Sequence, residues 1–123
     1  MVTARKALGD FGERVAAHRL EAAGMQVVGR NVRVPGGEID IVARDGADLV
    51  FVEVRTRRAL PGAAAESVDQ AKLERMWSCA MAYCEREELD PETMRIDVVS
   101  IDLDRTGRVA AVEHFRGVEI PGE

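Results

Sequence analysis

Residues 36–57 read GGEIDIVARDGADLVFVEVRTR, two alternating runs joined by a tight turn. Glu38 to Arg44 and Leu49 to Arg57 each place apolar side chains at every second position, the period of a strand. Asp45-Gly46-Ala47-Asp48 supplies turn residues between them. The stretch therefore predicts an antiparallel hairpin. Setting Asp45 opposite Asp48 places Asp40 opposite Glu53 and Glu38 opposite Arg55. Glu38 and Asp40 then share a face with Glu53, Arg55 and Arg57. Ile39, Ile41, Ala43, Val50, Val52 and Val54 fill the other face, an apolar surface for a helix. A slip of one residue would turn these apolar side chains the wrong way.

Elements extend from the hairpin in both directions. Before it, Met25 to Val34 reads as a strand that ends at Pro35-Gly36-Gly37. Ahead of that, Leu8, Phe11, Val15, Ala16, Leu20 and Ala23 recur at helical spacing and predict a helix over Ala7–Ala23, stopped by Gly24. After the hairpin, Arg58–Glu66 reads as a loop. Leu73, Met76, Trp77, Ala80 and Cys84 then form the apolar stripe of a second helix, Val68 to Glu88, which reads as core packing. Asp90-Pro91 closes it, Met94–Leu103 is a fourth strand, and Val109–Phe115 a short fifth. The fold class is α/β, in the order α-β-β-β-α-β-(β). The helix between strands three and four is long enough for a parallel crossover, giving a mixed sheet flanked by helices. The 123 residues suit one domain, residues 1–123, large enough to fold without disulfide or structural metal.

Charge is unevenly spread. Acids outnumber lysines and arginines 22 to 17, for a net charge of −5. Residues 1–58 are net +2 and residues 59–123 net −7, with Glu85–Glu92 a solvated acidic helix end. The total argues against a strongly basic nucleic-acid coat but leaves room for a local basic site. Only Lys6 and Lys72 are lysines. No apolar run reaches the roughly 18 residues of a membrane span, and the charged opening residues do not read as a secretory signal. Cys79 and Cys84 fall on one helix, too far apart to bridge, and read as reduced thiols of a cytoplasmic protein. His18 and His114 lack metal-ligand spacing and read as surface residues.

Two carboxylates opposed across a hairpin repel each other. A divalent cation with oxygen ligands resolves the repulsion, and so does a shared proton. Pairing of both with Arg55 and Arg57 in a surface ladder is the structural alternative. Arg30, Arg33, Arg55, Arg57 and Arg58 read equally as a phosphate track or as sheet-edge charge.

The motif Gly36–Ala43 followed by Phe51–Arg57 resembles the GEIDLIA…FVEVKxR pattern of the YraN-like family, a largely uncharacterised group. Gly9, Gly12-Glu13, Ala16, Leu20, Arg30-Asn31, Arg33, Lys72 and Arg95-Ile96-Asp97-Val98-Val99 continue the match in order. The family is similar in core to restriction-endonuclease-like nucleases of the PD-(D/E)XK type and to archaeal Holliday junction resolvases. The resemblance implies a restriction-endonuclease-like core and metal-dependent hydrolysis of phosphodiester bonds in nucleic acid, DNA ahead of RNA, including branched or damaged forms. It implies Mg²⁺ or Mn²⁺ held by Asp40, Glu53 and the Val54 carbonyl, with Glu13 as an added acid. It allows a homodimer and involves no membrane. The motif lysine position holds Arg55, which is always charged and cannot act as a base. Lys72, from the second helix, is the candidate to fill that role; Arg33, Arg57 and Arg58 are candidates for nucleic-acid contact. A nuclease-like module that binds nucleic acid or a protein partner without cutting is the alternative function.

Overall fold

The computed structural model describes residues 3–58 and 61–119. Helix α1 (Ala4–Ala22) leads into strands β1 (Gln26–Val34), β2 (Gly37–Asp45) and β3 (Asp48–Arg58). Helices α2 (Ala63–Glu66) and α3 (Gln70–Glu87) follow, then β4 (Met94–Leu103) and β5 (Val109–Phe115). The strands form one sheet in sequence order, β1 to β5. Only β3 and β4 run parallel, joined by the crossover through α3; all other neighbours are antiparallel. The mixed α/β architecture is the one read from the sequence.

Differences at element ends have local causes. Helix α1 starts at Ala4 because Thr3 Oγ1 accepts the Lys6 N–H at 3.1 Å, an N-cap that periodicity did not reveal. Helix α3 begins after Asp69, which accepts the Lys72 N–H at 2.9 Å. The expected loop Arg58–Glu66 contains a helix instead: buried Asp102 on β4 accepts the Gly62 and Ala64 N–H groups and holds the first turn of α2. Its residues 59 and 60 lie outside the described residues.

The sheet buries both faces. Ala16, Ala17 and Leu20 of α1 pack on Ile41, Ala43, Val50, Val52, Val99 and Ile101. On the opposite face Cys79, Ala80 and Cys84 of α3 pack on Val42, Leu49, Phe51 and Ile96, with Trp77 half-buried beside them. Ile39 is a correction: it joins the α3-side cluster, not the face of Ile41. His114 is another, since its side chain is buried and bonds Asp97 at 2.8 Å. Asp97 also accepts from Arg95 Nε and the Gly117 N–H, each at 3.0 Å, so the Arg95–Asp97 motif anchors the C-terminal segment. No helix among the described residues is long and apolar enough to cross a membrane.

Helix α1 meets β3 at Gly12, where a Cβ would stand 2.1 Å from Thr56 Oγ1. Gly9, one turn earlier, has nothing within 4 Å of its Cβ position. Gly12→Ala should therefore lower stability by about 1–3 kcal/mol through overpacking. Gly9→Ala should raise it by about 0.5–1 kcal/mol through helix propensity. Urea denaturation of both variants checks the pair; equal effects would place α1 elsewhere.

Candidate active site

Strands β2 and β3 pair from the Asp45–Asp48 turn only as far as Ile41 and Val52. Beyond that point β2 stays paired with β1 alone, through Val32–Ile39 and Val34–Gly37. Asp40 is the first residue past the split. It has no strand partner in β3; its Oδ2 accepts the Val54 N–H at 2.9 Å. The expected ladder pair of Asp40 and Glu53 is thus corrected in detail, because the carboxylate occupies a position where a β2 backbone acceptor would continue the ladder. Ile39 lies past the split, where β2 pairs with β1 alone, and packs with its partner Val32 on the α3 side. Glu38, expected opposite Arg55, sits opposite Arg33, with Arg33 Nε 3.8 Å from its Oε2 at the exposed edge.

The split opens a cavity of about 770 Å³. Asp40 and Glu53 line it from the strands, Glu13 from α1, and Lys72 and Arg75 from α3. Elements from both faces of the sheet reach one space because the two strands no longer close it. Glu53 is only 8% exposed, and its Oε2 lies 3.5 Å from Lys72 Nζ and 3.6 Å from Arg55 Nη1. Burial pushes the Asp40 carboxyl up to about 8. The nearby negative charge of Glu53 adds to the shift, the Val54 N–H opposes it, and Glu53 is close enough to share a proton. Glu13 is buried and its carboxyl is also raised, first by desolvation; the Asn31 side chain and Arg30 pull the other way. Its Oε1 is buried without a hydrogen-bond partner, and Arg30 stands 3.9 Å away.

The donor chemistry suits a hard divalent cation. The carboxyls of Asp40, Glu53 and Glu13 face a polar cavity roomy enough for water, burial raises the proton affinity of Asp40 and Glu13, and Mg²⁺ commonly takes one or two carboxylates plus waters. Among the described residues no three His, Cys, Asp or Glu side chains converge closely enough to hold an ion by themselves. An ion placed there would have from the protein the pair Asp40 and Glu53, with Glu13 nearby.

The cations divide by position. Arg55 is held in place: its Nε donates to Ser67 Oγ at 3.0 Å, just after the helix that Asp102 anchors. Arg57 lines the cavity and donates Nη1 to the Thr56 carbonyl at 2.8 Å rather than to the acids. Lys72 lines it beside Glu53. Arg33 and Arg30 lie on edge strand β1, and Arg58 leans towards Gly107 in the β4–β5 turn, so these three are apart from the cavity lining. His18 is exposed on α1. Arg5 and Arg75 line the cavity and were not singled out from the sequence. Helical spacing holds their signal: Arg5, Gly9 and Glu13 share one face of α1, and Lys72, Arg75, Met76 and Cys79 one face of α3.

Fold and cavity together define an α/β protein with an acid pair, Glu53 buried and Asp40 half-buried, set in a basic cleft at a sheet opening. The chain belongs to the family described as Uncharacterised protein family UPF0102, whose model matches residues 12–101, the YraN family of the motif resemblance. A UPF0102 protein of Beutenbergia cavernae is 48% identical over 116 residues, covering 94% of this chain and 98% of that protein. One from Paenarthrobacter aurescens is 45% identical over 119 residues, covering 96% and 98%. One from Roseiflexus castenholzii is 47% identical over 117 residues, covering 94% of each.

An acid whose folded-state pKa lies above its unfolded value holds more protons when folded. Its contribution to stability falls as pH rises between the two values. For Asp40 the window is from about 4 to about 8. In metal-free buffer the wild type should lose stability from pH 5 to pH 8 relative to Asp40→Asn, with the gap on the order of 1–2 kcal/mol at pH 8. Urea midpoints of both proteins across that range read it; parallel profiles would contradict the charge repulsion.

Proposed function

We propose that the chain is a metal-dependent endonuclease that hydrolyses phosphodiester bonds in nucleic acid. The observation that carries the reading is the meeting of Asp40 and Glu53 in a buried cleft with Lys72 Nζ 3.5 Å from Glu53. Asp40 and Glu53 would hold Mg²⁺ or Mn²⁺, which supplies positive charge that draws in a phosphate oxygen and makes water easier to ionise. Val54 ties Asp40 through its N–H and so fixes one carboxylate without a flexible lever. Lys72 is a compact cation on the cavity wall, suited to orient an attacking water or to stabilise charge on phosphate. Arg55, tethered to Ser67 and always protonated, holds Glu53 and meets negative charge but moves no proton.

The arginine at the motif lysine position favours a second reading, a nuclease-like module that binds without cutting. The two readings part at Lys72. If Lys72 fills the lysine role, Lys72→Ala should cut Mn²⁺-dependent cleavage of single-stranded, duplex or branched DNA by about 10²-fold or more. Nucleic-acid binding in EDTA should weaken only modestly, and Arg55→Lys should change the rate little. A several-fold rate gain in Arg55→Lys with no loss in Lys72→Ala would return the role to position 55. Pure wild type that binds these substrates and cleaves none of them with Mg²⁺ or Mn²⁺ would replace the enzyme reading with the binding module.

A further inference from the structure

We propose that Arg5 and Arg75 complete, with Arg57 and Lys72, a phosphate track that carries a single polynucleotide strand across the acid pair. The inference rests on the nuclease-like reading and specifies its substrate. Arg5 stands in the first turns of α1 and Arg75 one turn beyond Lys72 on α3, so the cavity has a basic wall from each face of the sheet. Arg5 and Arg57 are near enough for each to feel the other's charge. Among the described residues, Arg5, Arg57 and Arg75 have no carboxylate within 4.0 Å, whereas Lys72 and Arg55 both lean on Glu53. Like-charged, unpaired guanidiniums gathered on the walls of one cavity are matched by an anionic chain passing between them.

Shape selects the form of that chain. Glu53 is 8% exposed at the floor of a cavity of about 770 Å³, with helices on either side. A duplex stays stiff over about 150 base pairs and offers its phosphates on a convex surface. It cannot follow the floor into a cavity of this size, while a single strand bends into it. Among the described residues no Phe, Tyr or Trp lines the cavity, so contact falls on the backbone rather than on stacked bases, and recognition is independent of sequence.

The test is fluorescence anisotropy of a labelled 15-nucleotide oligo(dT) across a salt series, in EDTA, with the intact chain. The wild type should bind this strand at least tenfold more tightly than a blunt duplex of equal length. Arg5→Ala and Arg75→Ala should each weaken binding several-fold and each lower the log–log salt slope by about 0.7. Arg105→Ala, in the exposed β4–β5 turn, should bind as the wild type does. Both cavity arginines are exposed, so near-ultraviolet circular dichroism should be unchanged. Wild-type affinity and slope in the Arg5→Ala/Arg75→Ala double variant, or duplex binding as tight as single-strand binding, would overturn the track. Because EDTA removes cleavage, this result is independent of whether the acid pair supports hydrolysis.

Discussion

Asp40 and Glu53 are two carboxyls held together where water is scarce, so ionising both sets like charges side by side. Repulsion of this kind is normally removed by separation, and here the backbone prevents it. Asp40 is fixed by the Val54 N–H at 2.9 Å, and Glu53 is fixed on the same strand one residue earlier. The cost shows as a carboxyl that holds its proton far above the usual range. Other features of the cleft answer that tension: Lys72 and Arg55 lean on Glu53, and Ser67 keeps Arg55 in position. Asp102 in turn anchors the short helix that brings Ser67 there.

The elements were legible because their signals are local. Alternation from Leu49 to Arg57, the Asp45–Asp48 turn and the α3 stripe each depend on neighbours within a few residues, and the 45-to-48 register is present as far as Ile41–Val52. What lay beyond reach is the place where that register ends. At the split the Asp40 carboxylate, not a β2 backbone carbonyl, takes the Val54 N–H, and alternation carries no trace of that exchange. Past the same split Ile39 packs on the α3 side and Glu38 has no partner in β3. His114 was misjudged because its partner, Asp97, is seventeen residues away on an adjacent strand. Arg5 and Arg75 sat on helix faces whose periodicity was visible but whose direction depends on packing.

The net charge of −5 conceals a division of labour. Five cations, Arg5, Arg55, Arg57, Lys72 and Arg75, line the cavity, while the run Glu85–Glu92 lies at the far end of α3. A field of this form would orient an anionic chain, if one binds, towards the cleft and away from the acidic end, even though the molecule as a whole is acidic. At the other end of β3, Arg95 joins Asp45, Asp48 and Asp97 in a closed set of ion pairs. Those charges are spent on each other and on the C-terminal segment, which separates the motif that stabilises the sheet from the motif that forms the cleft.

If the acid pair is a cation site, a divalent ion that binds only the folded protein must stabilise it by an amount that grows with the logarithm of its concentration above the Kd. The most direct measurement is the shift in melting temperature with Mn²⁺ at pH 7.5, for the wild type and for Asp40→Asn and Glu53→Gln. The account predicts a rise in the wild type that grows with Mn²⁺ concentration and is lost in both variants. A rise of equal size in all three proteins, or none in the wild type, would contradict it.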